Sequence, residues 1–243
     1  MYEIHYTLYS LLRQTMKPGR IILWLGKEQF PNGDEDLPKK VLSLKKLGLS
    51  IEYTENEKSY KKLIPALKKY GDKVIVTADD DIFYPEDWLE RLYAEHKRHG
   101  DCVVCHRAHK IAVEDGKILP YSEWPRAIED ASESFLNFLT RAGGVLYPPG
   151  ILHKDVLDKS LYTALTPTAD DIWFWAMAVL NGKKIRVVEN PTNALTYTNP
   201  QREKNLSGET TLYTQNVDQN RNDEQIANVM NHYPEIKSKI WLK

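Results

Sequence analysis

Lys73-Val74-Ile75-Val76-Thr77-Ala78-Asp79-Asp80-Asp81-Ile82-Phe83-Tyr84-Pro85 carries an apolar run straight into three consecutive aspartates. A short, β-branched apolar run that stops at polar residues reads as a buried strand. Carboxylates packed this closely repel one another, and a cation among them relieves that cost. The stretch therefore predicts a metal site at the carboxyl edge of an open α/β sheet, where such sheets bind their ligands. In extended chain Asp79 and Asp81 face one way and Asp80 the other. Two carboxylates with diphosphate oxygens and water suit Mg²⁺ or Mn²⁺. Capping the helix that begins at Pro85 is the simpler role, but that needs one aspartate, not three.

The flanking segments fit such a sheet. Ile4, Leu8, Leu11 and Leu12 have helical spacing, ended by a turn at Lys17-Pro18-Gly19. Ile21 to Leu25 is a nearly continuous apolar run and reads as a buried strand. Leu37 to Leu47 predicts a helix stopped by Gly48, and Leu49 to Tyr53 an alternating strand. Lys58 to Tyr70 predicts a third helix, in which Pro65 makes a kink or marks the first turn. Pro85 opens a helix with Glu86 and Asp87 in its first turn; Trp88, Leu89, Leu92 and Tyr93 form its buried stripe, and Gly100 closes it. Cys102 to His106 is the next strand. Alternating strands and helices imply a largely parallel sheet covered on both faces.

The pattern then becomes mixed. Lys110 to Ile118 predicts a hairpin turning at Asp115-Gly116, and Ser132 to Leu139 a short helix. Gly143 to Gly150 reads as a strand running into a tight loop, Ala169 to Leu180 as an amphipathic helix and Lys184 to Val188 as a strand. Gln201 to Arg221 is polar and expected to be mobile, and Asp223 to His232 reads as the final helix. The chain thus divides by role within one continuous domain: residues 1–106 form a nucleotide-binding half and 107–243 a mixed half for a second substrate.

With 243 residues and a formal net charge of −1, the chain can bury a full core and projects no broad field toward nucleic acid or anionic membrane. Neither a secretory signal nor an apolar run long enough to cross a bilayer is visible, so a cytoplasmic protein is expected, able to rest on the inner membrane face through partners. Cys102 and Cys105 lie three apart on a strand and face opposite ways, which argues against a bridge or a shared metal and for buried thiols in a reducing compartment.

A second acidic pair, Asp170-Asp171, falls in the first turn of its helix, where the dipole favours acids in any case. Beside a metal site it becomes a candidate general base. Gly143-Gly144 suggests backbone passing close to a ligand, or else a bulge. Trp173, Trp175 and Trp124 can stack on a sugar, but tryptophans at helical spacing are mostly core, so at most one touches substrate. Arg107, His109 and the lysines near Tyr60, among them Lys61, can meet phosphate; the basic runs Lys61-Lys62 and Lys68-Lys69 also fit solvated helix faces. His153 and His232 read as ordinary residues.

Taken together, these residues resemble the family 2-like glycosyltransferases of GT-A fold. Ser10-Leu11-Leu12-Arg13-Gln14-Thr15 with Lys17-Pro18 resembles the family's first helix and turn, and Ala78 to Ile82 with Pro85 its DxD metal motif. Gly143-Gly144-Val145 resembles the strand near the acceptor, and Asp170-Asp171 the acidic pair that supplies the base in inverting members. The likeness spans residues 6 to 190 and rests on the order and spacing of short motifs. Ala78 stands where members often carry Asp, so either Asp79 and Asp81 or Asp80 and Asp81 form the working pair. Members usually read Glu-Asp at the base, where this chain has Asp170-Asp171. Members also begin with a strand and loop that cup the nucleotide base, whereas this chain begins inside the helix that follows. Loss of that strand should leave ladder groups of the central sheet unpaired.

The resemblance implies metal-dependent, inverting transfer of a sugar from a nucleotide-diphosphate donor, a UDP-sugar, to a hydroxyl of a glycan or lipid-linked acceptor in polysaccharide synthesis. It implies Asp171 as base beside Asp170, and Mn²⁺ or Mg²⁺ on Asp79 and Asp81. Asp79, Asp80, Lys61, Tyr60 and Arg107 would lie toward the donor, and Gly143, Gly144 and Trp173 toward the acceptor. A sugar-1-phosphate nucleotidyltransferase and a non-catalytic sugar-nucleotide binder are the alternatives.

Overall fold

The computed structural model describes residues 3–199 and 221–241. Helix α1 (Ile4–Leu12) leads through the Pro18-Gly19 turn to strand β1 (Ile21–Gly26). The helix expected over 37–47 is α2 (Lys39–Ser43) tightened into a 3₁₀ turn (Leu44–Leu47). Gly48 ends it at φ 104°, a left-handed conformation that costs glycine little. Strand β2 (Leu49–Thr54) then pairs parallel with β1 along its whole length.

The helix expected over 58–70 is broken in two. Lys58–Lys62 forms a 3₁₀ turn, and α3 (Ile64–Tyr70) begins with Pro65 in its first turn, where the missing N–H is not needed. Strand β3 (Ile75–Thr77), α4 (Trp88–Arg98) and β4 (Cys102–Cys105) follow. Next come β5 (Ala108–Lys110) and the hairpin of β6 (Val113–Glu114) and β7 (Lys117–Ile118). Asp115 and Gly116, both at positive φ, make its turn.

The helix expected over 132–139 is absent: Asn137–Leu139 is instead strand β8, antiparallel to β5. The spacing of Phe135, Phe138 and Leu139 suits a helix, but distant partners decide the outcome. The Asn137 side-chain amide donates to the carbonyls of Ser132 and Ile185 at 2.8 and 2.9 Å, and Phe138 and Leu139 are buried in the core. Strand β9 (Val145–Tyr147), α5 (Lys159–Leu165), α6 (Asp170–Leu180), β10 (Lys184–Val187), α7 (Arg221–His232) and α8 (Glu235–Ile240) complete the described chain. Helix α6 is not amphipathic as expected: Ile172 to Val179 are all buried. Nor is α7 the last helix, since α8 follows it. The polar stretch expected to be mobile lies outside the described residues, apart from Arg221.

The central sheet has the order β10-β4-β9-β3, with β10 parallel to β4 and β9 antiparallel to both β4 and β3. Both halves of the chain contribute strands to it. Trp88 and Leu92 of α4 cover one face, packing on Val104 and Leu146, and α6 covers the other, packing on Val103, Cys105 and Val145. Cys102 and Cys105 accordingly sit in opposite layers, both as free thiols. Burial pushes the Cys102 thiol up to about 12. The pair β1–β2 is a separate sheet over a third apolar cluster of Ile4, Leu8, Val41, Leu44 and Leu49. Among the described residues β1 and β3 are not paired with each other, so each ends a sheet.

Candidate active site

Strand β3 stops at Thr77, and the chain turns at Asp80-Asp81 before Ile82 bridges to Tyr197. Asp80 and Asp81 therefore lie in a turn, and strand alternation does not govern where they point. The Asp79 N–H donates to the Tyr84 hydroxyl at 2.8 Å. The Asp81 carbonyl accepts from the Thr198 N–H at 2.8 Å. All three aspartates line one cavity of about 1640 Å³ that runs from the β1–β3 region to the start of α6.

At that far end the acidic pair divides. Asp171 lines the cavity, with about a fifth of its side chain exposed, whereas Asp170 is fully buried behind it. Arg141, from the turn before β9, holds both: its Nη1 lies 2.9 Å from Asp170 Oδ1 and its Nε 3.0 Å from Asp171 Oδ1. Neither contact is aligned as a hydrogen bond, so the clamp is one of charge. Burial works against the guanidinium charge, but Asp170 and Asp171 outweigh it and raise the Arg141 pKa. Lys62 pairs with Asp79 on the side of the aspartate turn, each largely buried.

These five side chains set three carboxylates against two cations. Burial is the main force raising the Asp171 pKa, to about 7; Arg141 and Lys62 pull it down, while Asp170 and Asp79 push it up. The site thus brings together a cavity-facing carboxylate of raised basicity and an acidic turn.

Several residues expected at the site lie elsewhere. Lys61 does line the cavity, donating to Gln29 Oε1 at 2.8 Å. Tyr60 on the same 3₁₀ turn points into the core, where its ring stacks on Tyr162 and its hydroxyl donates to the Thr166 carbonyl at 2.7 Å. Trp173 is fully buried, with its indole N–H on the Val156 carbonyl at 3.2 Å. Trp124 and Trp175 are core residues too. Arg107 donates to Thr140 Oγ1 at 3.1 Å, outside the cavity lining. His109 is buried and accepts from the Ala127 N–H at 3.1 Å.

Gly143 and Gly144 pack against protein rather than line the cavity. A Cβ on Gly144 would lie 2.2 Å from the Trp88 ring, and the Trp88 indole donates to the Gly143 carbonyl at 2.7 Å. Reading Lys61-Lys62 as a solvated face is also corrected, because Lys62 serves Asp79. Arg141 was missed by sequence reasoning. Its only signal is that a buried acidic pair needs a cation, and nothing local says which.

Among the described residues no three His, Cys, Asp or Glu side chains gather as a metal cage. Asp79 and Asp81 are nevertheless hard oxygen donors on the cavity wall. Two such carboxylates fit Mn²⁺ or Mg²⁺ when diphosphate oxygens and water complete the shell.

A scan against protein-family models matches residues 3–152, more than half of the chain, to glycosyl transferase family 2. The chain belongs to that family. No curated protein matches it. Membership makes this chain a glycosyltransferase of GT-A fold, with a nucleotide-sugar donor and an acceptor as its substrates. The matched span holds the aspartate turn and Arg141 but ends before Asp171, whose assignment therefore rests on geometry. Among the described residues no helix is long and apolar enough to cross a membrane.

Proposed function

We propose that this family 2 glycosyltransferase moves a sugar from a UDP-sugar to the hydroxyl of a glycan or lipid-linked acceptor, with inversion at the anomeric carbon. The observation that carries the reading is Asp171: a carboxylate of raised pKa on the wall of the cavity that also holds Asp79, Asp80 and Asp81. In this reading Asp171 takes the proton of the acceptor hydroxyl. The hydroxyl oxygen bonds to the anomeric carbon while the bond from that carbon to the diphosphate oxygen breaks, and UDP leaves with the electron pair. A base of raised pKa is better matched to a hydroxyl proton than an ordinary carboxylate.

Arg141 positions Asp171 and neutralises Asp170 behind it. Lys61 lies within the cavity to meet phosphate. Asp79 and Asp81 would hold Mn²⁺ or Mg²⁺, which when bound with the diphosphate offsets the charge growing on the leaving group.

The test is Asp171→Asn, assayed for UDP release from a panel of UDP-sugars with Mn²⁺ and acceptors. The variant is expected to bind UDP as the wild type does and to lose transfer. Wild-type turnover in the variant would refute the base. Pyrophosphate in place of UDP as product would favour the nucleotidyltransferase alternative. A binder without turnover is the second reading, and binding without product release from the wild type would establish it.

A further inference from the structure

Four amide side chains are buried among the described residues: Gln14, Asn137, Asn222 and Gln225. Three of them use both donors and acceptor inside the protein. Gln14 donates to the carbonyls of Ser10 and Pro85 and accepts from the Leu89 N–H. Asn137 donates to the carbonyls of Ser132 and Ile185 and accepts from Lys110 Nζ. Gln225 accepts from the Thr168 and Ala169 N–H groups at 3.0 and 3.2 Å and donates to Thr168 Oγ1 and the Arg221 carbonyl. Asn222 differs. It is only 7 % exposed, yet its side chain has no hydrogen bond to any described residue. It lines the large cavity, and neither of its polar atoms is sealed from that space. Buried amides are paired as a rule, so one that faces a cavity unpaired points to a ligand.

The fold fixes which end of the cavity Asn222 serves. It lies three residues before Gln225 on α7, on the same side of that helix. Gln225 holds the N–H groups of Thr168 and Ala169, directly ahead of the acidic pair that opens α6. Asp223 accepts from the Tyr121 N–H at 2.8 Å, which ties α7 to the 3₁₀ turn Tyr121–Glu123 as well. Tyr121 in turn meets Phe138 edge to face, with ring centroids 6.0 Å apart. Asn222, Tyr121, Phe138 and Ala169 line the cavity together with Asp171. The family match ends at residue 152, so α7 and Asn222 lie outside it.

We propose that Asn222 is a specificity-determining residue for a saccharide acceptor, pairing with two neighbouring hydroxyls of the sugar ring whose attacking hydroxyl faces Asp171. The inference rests on the reading of Asp171 as the base. A side-chain amide carries donors and an acceptor in one plane. It can donate to one hydroxyl and accept from the next, which matches hydroxyls on adjacent ring carbons. Tyr121 and Phe138 offer apolar surface to the C–H bonds of the same ring. An acceptor with a lone hydroxyl, on a lipid or a serine, would leave the amide unpaired, and a site built to bond a hydroxyl rejects the analogue that lacks it. The acceptor group is therefore a sugar ring rather than a simple alcohol.

The test is NMR of the intact chain, ¹⁵N-labelled at asparagine and titrated with and without UDP and Mg²⁺. The probes are methyl β-D-glucopyranoside, methyl β-D-galactopyranoside and methyl α-D-mannopyranoside. The Asn222 side-chain signals, identified by their loss in Asn222→Leu, are expected to shift with at least one glycoside. They should not shift with 2-methoxytetrahydropyran, which keeps the ring without its hydroxyls. Asn222→Leu is expected to weaken that glycoside about tenfold or more and to leave the calorimetric affinity for UDP within about twofold. Asn222→Asp keeps the size but loses both donors, and should weaken the glycoside as well. No shift with any of the three glycosides would overturn the proposal. So would an equal shift with the ring that lacks hydroxyls, or wild-type glycoside affinity in both variants. The readout needs no turnover, so an Asp171→Asn variant that kept transfer would refute the base separately from these outcomes.

Discussion

Replacing Arg141 by Met keeps most of the side-chain stem and removes the charge. Asp170 is fully buried, and neither of its carboxylate oxygens has an aligned hydrogen bond; the guanidinium at 2.9 Å is the countercharge in contact with it. Removing one partner of a buried pair leaves an uncompensated charge and costs about 3–5 kcal/mol. That is a large share of the ~5–15 kcal/mol that holds a typical domain folded. In a chain of this size it corresponds to a drop in Tm of roughly 6–20 °C. Urea unfolding near neutral pH, followed by tryptophan fluorescence, measures the loss directly. The double variant Arg141→Met with Asp170→Asn removes the stranded charge and should recover about 1–3 kcal/mol relative to additivity. If Arg141→Met alone stays within about 1 kcal/mol of wild type, or if Asp170→Asn gives no recovery, the charge clamp is not what holds the acidic pair in place.

Because the folded-state pKa of Asp171 is raised from 3.8 to about 7, the folded chain holds a proton there that the unfolded chain releases, and stability contributed by this group falls as pH rises across that interval. Asp171→Asn should therefore be less sensitive to pH than wild type, gaining relative stability between acidic and mildly alkaline pH; urea midpoints that run parallel for the two proteins would contradict the shift. Asp81→Ala should abolish the heat of UDP binding that depends on Mn²⁺, and an unchanged calorimetric titration would reject Asp81 as a ligand. Gly144→Ala should cost about 2–4 kcal/mol, since its Cβ would meet the Trp88 ring at 2.2 Å on a backbone at φ +91°. Weakened acceptor binding with unchanged stability would instead return Gly144 to the substrate side.

Features written in contiguous residues are legible in the sequence itself. The apolar run into Asp79–Asp81 marked the sheet edge, Gly48 and Asp115-Gly116 marked turns that need left-handed backbone, and Asp171 stood out as an acid at a helix start. What the sequence hid depended on partners far along the chain. The residues around Phe138 have helical spacing but pair as a strand with Ala108–Lys110. Tyr60 and Lys61 are neighbours, yet one faces the core and the other the cavity, because adjacent residues of a helical turn point about 100–120° apart. Trp173 sits two residues from Asp171 but turns into the core, where its indole N–H meets the Val156 carbonyl, while Asp171 faces the cavity. Arg141 belongs to no local pattern; only the approach of β9 to the start of α6 makes it the partner of both acids.

The most informative mismatch is β1, whose apolar run reads as a buried strand while the structure leaves Ile21 to Trp24 partly exposed, with β2 as its strand neighbour among the described residues. A continuous apolar pattern marks side chains that suit burial on both faces, whereas burial itself depends on which elements pack there, so the pattern alone does not fix the strand's place in the sheet.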